Sequence, residues 1–299
     1  MSIEKSNLKK IIIASAIIAS IAVAIFTVQN NDKNNTVESN TIQEIVAEDY
    51  TTKGIEDSLF FVHAEDEDFV GKNELGGDNF IRYIITPKKE KAEIYESLGP
   101  KNSKQSTVVI IPLFTMLAYT NHGFYDYYAG VCDEECLTVN GISVYQTAKF
   151  DYRSSAMANQ VFQYLGYERI SDADVDRDPS ILSKFDKVIL LHNEYVTKKM
   201  FDAITSHPKV IYLYPNALYA EIYAEDETSS ITLIRGHGYP EKDISNGFNW
   251  EFENTRPYEF DNKCEKWEFY EINNGIMLNC YPEQIIFEDI ELLKAIRDF

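Results

Sequence analysis

The chain has 299 residues, with 28 Lys+Arg against 48 Asp+Glu, a net charge of −20 and a pI of about 4.6. So acidic a chain excludes nucleic acid as the main partner, because phosphate binding needs a basic stripe, and disfavours tight docking on anionic lipid. At 44% hydrophobic and 13% aromatic it is too apolar to be disordered throughout, and it is long enough for one or two domains with a substantial core.

The charge is uneven: residues 1–30 carry a net +2, residues 31–106 a net −7 and residues 107–299 a net −15. Lys5, Lys9 and Lys10 precede an uncharged apolar run of 18 residues, Ile11 to Val28. As a helix that run spans ~27 Å, close to the hydrocarbon thickness of a bilayer. The sequence therefore predicts a cytoplasmic segment over 1–10, a single transmembrane anchor over 11–28 and an extracytoplasmic remainder. A cleaved signal peptide is the alternative, since Ala22-Val23-Ala24 has the small-x-small form of a cleavage site. Residues 29–52 are polar and Asn-rich and read as a flexible linker, with a glycosylation sequon at Asn34-Asn35-Thr36.

Residues 53–106 hold short strand-like runs, Leu59 to Val62 and Phe80 to Ile85, around an acidic turn at Asp66-Glu67-Asp68. From 107 to 299 the pattern is that of an α/β domain. Val108 to Ile111, Lys187 to Leu191 and Val210 to Tyr214 are β-branched or aliphatic runs suited to strands buried on both faces. Ile142 to Tyr145 is another candidate strand. Ser154 to Leu165 has helical spacing with Gly166 to stop it, Pro179 opens a short helix, and Val196 to Ser206 is a further helix. Alternation of this kind predicts a mostly parallel open sheet flanked by helices. After Asn216 the pattern becomes strand-rich, with Ser230 to Ile234, Trp267 to Ile272 and Ile276 to Leu278, before a helix from about Glu288 to Phe299.

Cys132, Cys136, Cys264 and Cys280 permit three disulfide connectivities. The local pairs Cys132–Cys136 and Cys264–Cys280 are expected, with a zinc site at Cys132-x-x-x-Cys136 as the alternative. No dinucleotide fingerprint, Walker A motif, H-E-x-x-H or Ser or Cys nucleophile elbow is present. Asp172, Asp174, Asp176 and Asp178 lack the Gly and terminal Glu of a calcium loop and read as a solvated loop with helix caps. His63 and His207 read as loop or surface residues. The Arg235-Gly236-His237-Gly238 stretch reads as a turn, with His237 a lesser candidate for lining a site.

In open parallel sheets function gathers at the carboxyl ends of strands. Two such ends are chemically loaded. One is His192-Asn193-Glu194-Tyr195, whose His and Glu point to one side in an extended chain. That pair can bind a metal or share acid–base work, or it can merely cap the next helix. The other is Ala118-Tyr119-Thr120-Asn121-His122-Gly123, followed by Tyr125, Tyr127 and Tyr128.

The order of Ala118-Tyr119-Thr120-Asn121, Asp172-x-Asp174, Asp178-Pro179 and a strand ending in His192-Asn193-Glu194-Tyr195 resembles the C-terminal domain of the N,N-dimethylformamidase large (beta) subunit. That domain belongs to the class I glutamine amidotransferase-like α/β group, with a flavodoxin-like sheet. The resemblance covers roughly residues 107–216. It implies an iron-dependent amide hydrolase acting on a small linear amide. Glu194 and Tyr119 would be metal ligands, Tyr152 the second phenolate, and His192 the acid–base group beside them. The chain departs from the pattern at Leu191 and Val196, where the family has Gly and Trp, and Asp151-Tyr152-Arg153-Ser154 stands where its Arg-Pro-Tyr is expected. A non-catalytic anchored module that binds a partner or glycan, or organises the envelope, is the second reading.

Overall fold

The computed structural model describes residues 58–64, 83–101, 106–141, 152–225, 229–252, 259 and 261–299. The predicted anchor at 11–28, the linker at 29–52, the acidic turn at 66–68 and the candidate strand at 142–145 lie outside them. Among the described residues, no helix is long and apolar enough to cross a membrane. In chain order the elements begin with β1 (Phe60–Ala64), β2 (Tyr83–Pro87), α1 (Ala92–Leu98), β3 (Thr107–Ile111), α2 (Leu113–Ala118), α3 (Phe124–Tyr128) and β4 (Thr138–Asn140). Next come α4 (Ala156–Tyr164), β5 (Glu168–Ser171), α5 (Asp172–Arg177), a 3-10 helix (Pro179–Lys184), β6 (Lys187–Leu190), β7 (Tyr195–Val196), α6 (Lys198–Ser206) and β8 (Val210–Tyr212). The chain continues through β9 (Ala220–Glu225), β10 (Ser230–Arg235), β11 (Phe269–Ile272), β12 (Gly275–Leu278) and α7 (Ile290–Asp298).

The β-branched runs form the largest sheet, in spatial order β11-β12-β8-β6-β3-β5. The strands β12, β8, β6, β3 and β5 are parallel, and β11 is antiparallel to β12. Taken in chain order, the parallel strands lie 2-1-3-4-5, the flavodoxin-like doubly wound order. Val108, Ile110, Val188, Leu190, Val210 and Met277 have no exposed surface and sit in one core cluster. Burying each such side chain is worth about 1.5–3 kcal/mol before conformational entropy is subtracted.

The order reverses between β3 and β6, so the crevice at their carboxyl ends is where a ligand is expected. A second sheet, β4-β10-β9-β7, starts from that crevice. Its strand β7 follows Glu194 directly and runs parallel to β9, with Tyr195 opposite Ala220. The strands β1 and β2 pair antiparallel, and Ile85 N–H donates to Gln160 Oε1 on α4 at 3.0 Å.

Local signals place most helix ends. Gly166 takes φ +78° just past α4, a conformation glycine adopts at little cost. Ser171 and Asp174 make a capping box at the start of α5, and Thr197 caps α6 through Met200 N–H. Lys187, on β6, donates to the carbonyls of Ile296 and Arg297 at the end of α7.

Several expectations are corrected. The aspartates after β5 do serve as helix caps, Asp174 in the capping box of α5 and Asp178 at the start of the 3-10 helix, but the stretch is not a solvated loop: Asp172, Asp174 and Asp176 lie in α5, with Asp172 and Asp176 buried. Asp176 accepts from Thr197 Oγ1 at 2.5 Å and pairs with Lys199 at 3.2 Å. His207 is buried, with its ring bonded to the carbonyls of Phe185 and Lys209. The backbone of His63 lies in strand β1, which corrects the loop half of the loop-or-surface expectation. The local disulfides Cys132–Cys136 and Cys264–Cys280 are both formed, so neither thiol of the first pair is available as a zinc ligand.

Gly275 gives a test of the sheet. A Cβ there would stand 1.8 Å from the Val210 carbonyl oxygen of the neighbouring strand. Gly275→Ala is expected to cost at least about 1–3 kcal/mol, the usual range for forcing atoms into a packed region. A lowered urea midpoint with an unchanged slope is the predicted result.

Candidate functional site

The site is built from the two chain segments that leave β3 and β6. After β3 the chain turns at once into the short helix α2, whose last turn ends at Tyr119. Asp172, at the carboxyl end of β5, holds the start of α2. Its Oδ2 accepts from Phe114 N–H at 2.9 Å and from Asn193 Nδ2 at 3.4 Å, and its Oδ1 accepts from Ala173 N–H at 2.9 Å. Burial pushes the Asp172 carboxyl well up, against the pull of these donors. From inside α2, Thr115 Oγ1 accepts the N–H groups of Glu194 at 3.0 Å and Tyr195 at 3.3 Å. The segment after β6 is thereby fixed to the segment after β3.

Glu194 has no exposed surface, and among the described residues four polar side chains meet at it. Tyr119 hydroxyl donates to Oε2 at 2.9 Å, and Tyr125 hydroxyl lies 3.4 Å from Oε1 and 2.8 Å from the Tyr119 hydroxyl. His237 Nε2 donates to Oε1 at 2.6 Å. His192 Nε2 is 3.9 Å from Oε2. The rings of Tyr119 and Tyr125 stack at 4.3 Å between centroids, and the Arg153 guanidinium lies over Tyr119 at 5.0 Å. Both residues are part-exposed, while their hydroxyls turn inward to the carboxylate.

These contacts set the protonation. Burial pushes the Glu194 carboxyl up, but the hydrogen bond and charge of His237, then His192 and Tyr119, more than offset it and leave it below the usual value. Tyr119 and Tyr125 move the other way. Burial first, then the Glu194 charge, holds each phenol well above its ordinary range. As it stands the cluster is an ionised carboxylate ringed by neutral phenols and by two imidazoles.

Through Tyr214, His192 is linked to a second buried carboxylate, Glu283. The His192 Nδ1 is bonded to the Arg153 carbonyl oxygen, which can only accept, so Nδ1 carries a proton and Nε2 is the ring atom turned toward Glu194. Tyr281 hydroxyl lies 3.3 Å from the same Nδ1, and Tyr214, stacked on the imidazole at 5.8 Å, donates to the fully buried Glu283.

Of the residues singled out in the sequence, Tyr119, His192 and Glu194 therefore come together. His192 and Glu194 do not cap α6, a role taken by Thr197. The backbone of Tyr152 forms a 3-10 turn, and its side chain lies outside the described residues. The second phenol found at the carboxylate is Tyr125, six residues after Tyr119. Its position in the same tyrosine-rich segment was the available signal. His237 had a weaker one, a glycine-flanked turn following a strand.

A separate group, His122, Asp126 and Cys136, offers ligand atoms within 4.8 Å of one another beside a cleft of about 500 Å³. Cys136 is committed to its disulfide, which removes the thiolate from that set. No family model matches the chain, and a search of curated proteins also finds no match.

The tyrosines give a pH signature. Tyr119, Tyr125, Tyr128, Tyr195, Tyr212 and Tyr214 are all pushed above the ordinary phenol value, chiefly by burial. In the unfolded chain they ionise near about 10, so above that pH the unfolded state binds fewer protons and stability falls by about 1.4 kcal/mol per pH unit for each such group. Lys187, pushed down to about 8 by burial, acts oppositely. Its contribution rises with pH and is complete once the unfolded lysine has titrated near about 10.4. The urea midpoint is expected to fall steeply only above that pH, with phenolate absorbance rising in step with unfolding.

Proposed function

We propose that the chain is a metal-dependent hydrolase of C–N bonds, acting on a small amide and held outside a membrane by residues 11–28. The reading rests on the convergence of Tyr119, Tyr125 and Glu194 at the point where the sheet order reverses. Two phenolates and one carboxylate carry three negative charges, so a trivalent ion such as Fe(III) leaves the buried set neutral, the condition for burying charge cheaply. Carboxylate and phenolate oxygens are also hard donors. Adjacent donors around an octahedral ion with bonds of about 2.0 Å stand about 2.8 Å apart. The oxygen separations here run from 2.8 to 3.4 Å. Tyr125 takes the place that the sequence reading gave to Tyr152.

Iron in such a set supplies Lewis acidity toward an amide carbonyl and makes water more acidic. The protein's part is positioning and proton handling. Asp172 and Thr115 fix the approach of α2 to the strand end. His192, its Nδ1–H spent on Arg153, presents Nε2 to take up a proton on the Glu194 side. The complete burial of Glu194 keeps bulk water from the carboxylate. That same burial, with hydrogen bonds already in place on both carboxylate oxygens, favours the second reading, a non-catalytic anchored module in which Glu194 only ties two sheets together.

Metal content separates the two. Full-length protein purified in detergent without chelators is expected to retain iron and show a visible tyrosinate-to-iron charge-transfer band. Glu194→Gln is expected to weaken iron binding by more than the about 10–100-fold typical of losing a group that merely supports a ligand. Wild-type protein that folds fully and holds no metal after iron is supplied leaves the binding-module reading standing. For the iron-loaded protein, formamide-type amides are the substrates to assay.

A further inference from the structure

We infer that His237 is a fourth protein donor at this centre, and that the turn carrying it seals the ion inside. The inference rests on the metal reading above and adds a ligand beyond the two tyrosines and the glutamate. His237 Nε2 is closer to Glu194 than either tyrosine hydroxyl is, at 2.6 Å from Oε1. A neutral imidazole adds a nitrogen donor suited to iron without disturbing the charge balance of the three oxygens. The His237 side chain is 20% exposed where that of Glu194 is 0% exposed, so His237 touches both the carboxylate and solvent.

The turn is shaped for this placement. His237 adopts φ +54° between Gly236 at +129° and Gly238 at +79°. A non-glycine residue keeps a left-handed conformation only where its surroundings enforce it. Here they do: His237 N–H donates to the Ser245 carbonyl at 3.0 Å, and Gly238 N–H to that of Ile244 at 2.6 Å. Tyr219 ties the turn to β9, through its hydroxyl on Ser245 Oγ at 2.8 Å and its carbonyl on Gly247 N–H at 2.7 Å. A Cβ at Gly236 would stand 2.9 Å from Ala220, so the turn lies directly on the strand. The imidazole is then gripped by rings, with Tyr195 stacked at 5.7 Å, Tyr219 edge-on at 4.5 Å and Tyr128 tilted at 5.1 Å. A side chain presented this rigidly suits a ligand better than a free surface histidine.

The test uses the full chain in detergent, loaded from ferric nitrilotriacetate, as wild type, His237→Ala and His237→Gln. Electron spin echo envelope modulation of the wild-type ferric centre is expected to show coupling to an imidazole nitrogen, and His237→Ala to lack it. The alanine variant is expected to keep a tyrosinate charge-transfer band, shifted in position, and to lose iron to citrate about 10–100-fold faster than wild type. Added imidazole should restore the nitrogen coupling, and His237→Gln should not show it. A wild-type ferric centre with the charge-transfer band and no imidazole coupling overturns the assignment of His237 and leaves the tyrosine–glutamate centre intact. Nitrogen coupling that survives in His237→Ala overturns it equally. Wild-type protein with no charge-transfer band at all removes the metal reading, and this inference with it.

Discussion

An ionised carboxylate costs several kcal/mol to bury unless donors replace the water it loses. Glu194 has no exposed surface, and the folded chain meets that cost with three donors from two separate places. Tyr119 and Tyr125 come from the segment after β3, and His237 from a turn in the second sheet. Remove the carboxylate and each of these groups loses a reason to point inward. The parallel sheet, the small sheet and the tyrosine segment are thus joined at one side chain.

A layer of neutral contacts makes that meeting reproducible. Asp172 reaches from β5 to start α2 and to hold Asn193, and Thr115 reaches from α2 to the N–H groups of Glu194 and Tyr195. The adjacent strand ends β5, β3 and β6 are therefore locked together by side chains. Small errors in how the strands leave the sheet do not reach the carboxylate. The carboxylate becomes a fixed point that hydroxyls and an imidazole can meet at hydrogen-bond distance.

What the sequence revealed follows from the range of the forces involved. Val108 to Ile111 and Val188 to Leu190 read as buried strands because β-branched side chains state their own preference locally. Gly166, Ser171 and Thr197 announced helix ends for the same reason. The His192-x-Glu194 pair was visible because two residues of one strand end share a side. The union of Glu194 with Tyr125 and His237 was not, since it spans 69 and 43 residues and is decided by how two sheets meet. Asp172 and His207 misled in the opposite sense. Polar residue types suggest solvent, and only the tertiary fold supplied the backbone partners that let them be buried.

The Cys264–Cys280 bond carries a consequence for how the site is held. Cys280 directly precedes Tyr281, whose hydroxyl rests 3.3 Å from His192 Nδ1, and Glu283 lies two residues further on. The covalent link that closes the β11–β12 hairpin therefore also sets the starting point of the segment that backs the imidazole. The aliphatic strands of the sheet carry no such covalent dependence, so reducing that sulfur pair would release the start of the segment behind His192 and leave their packing in place.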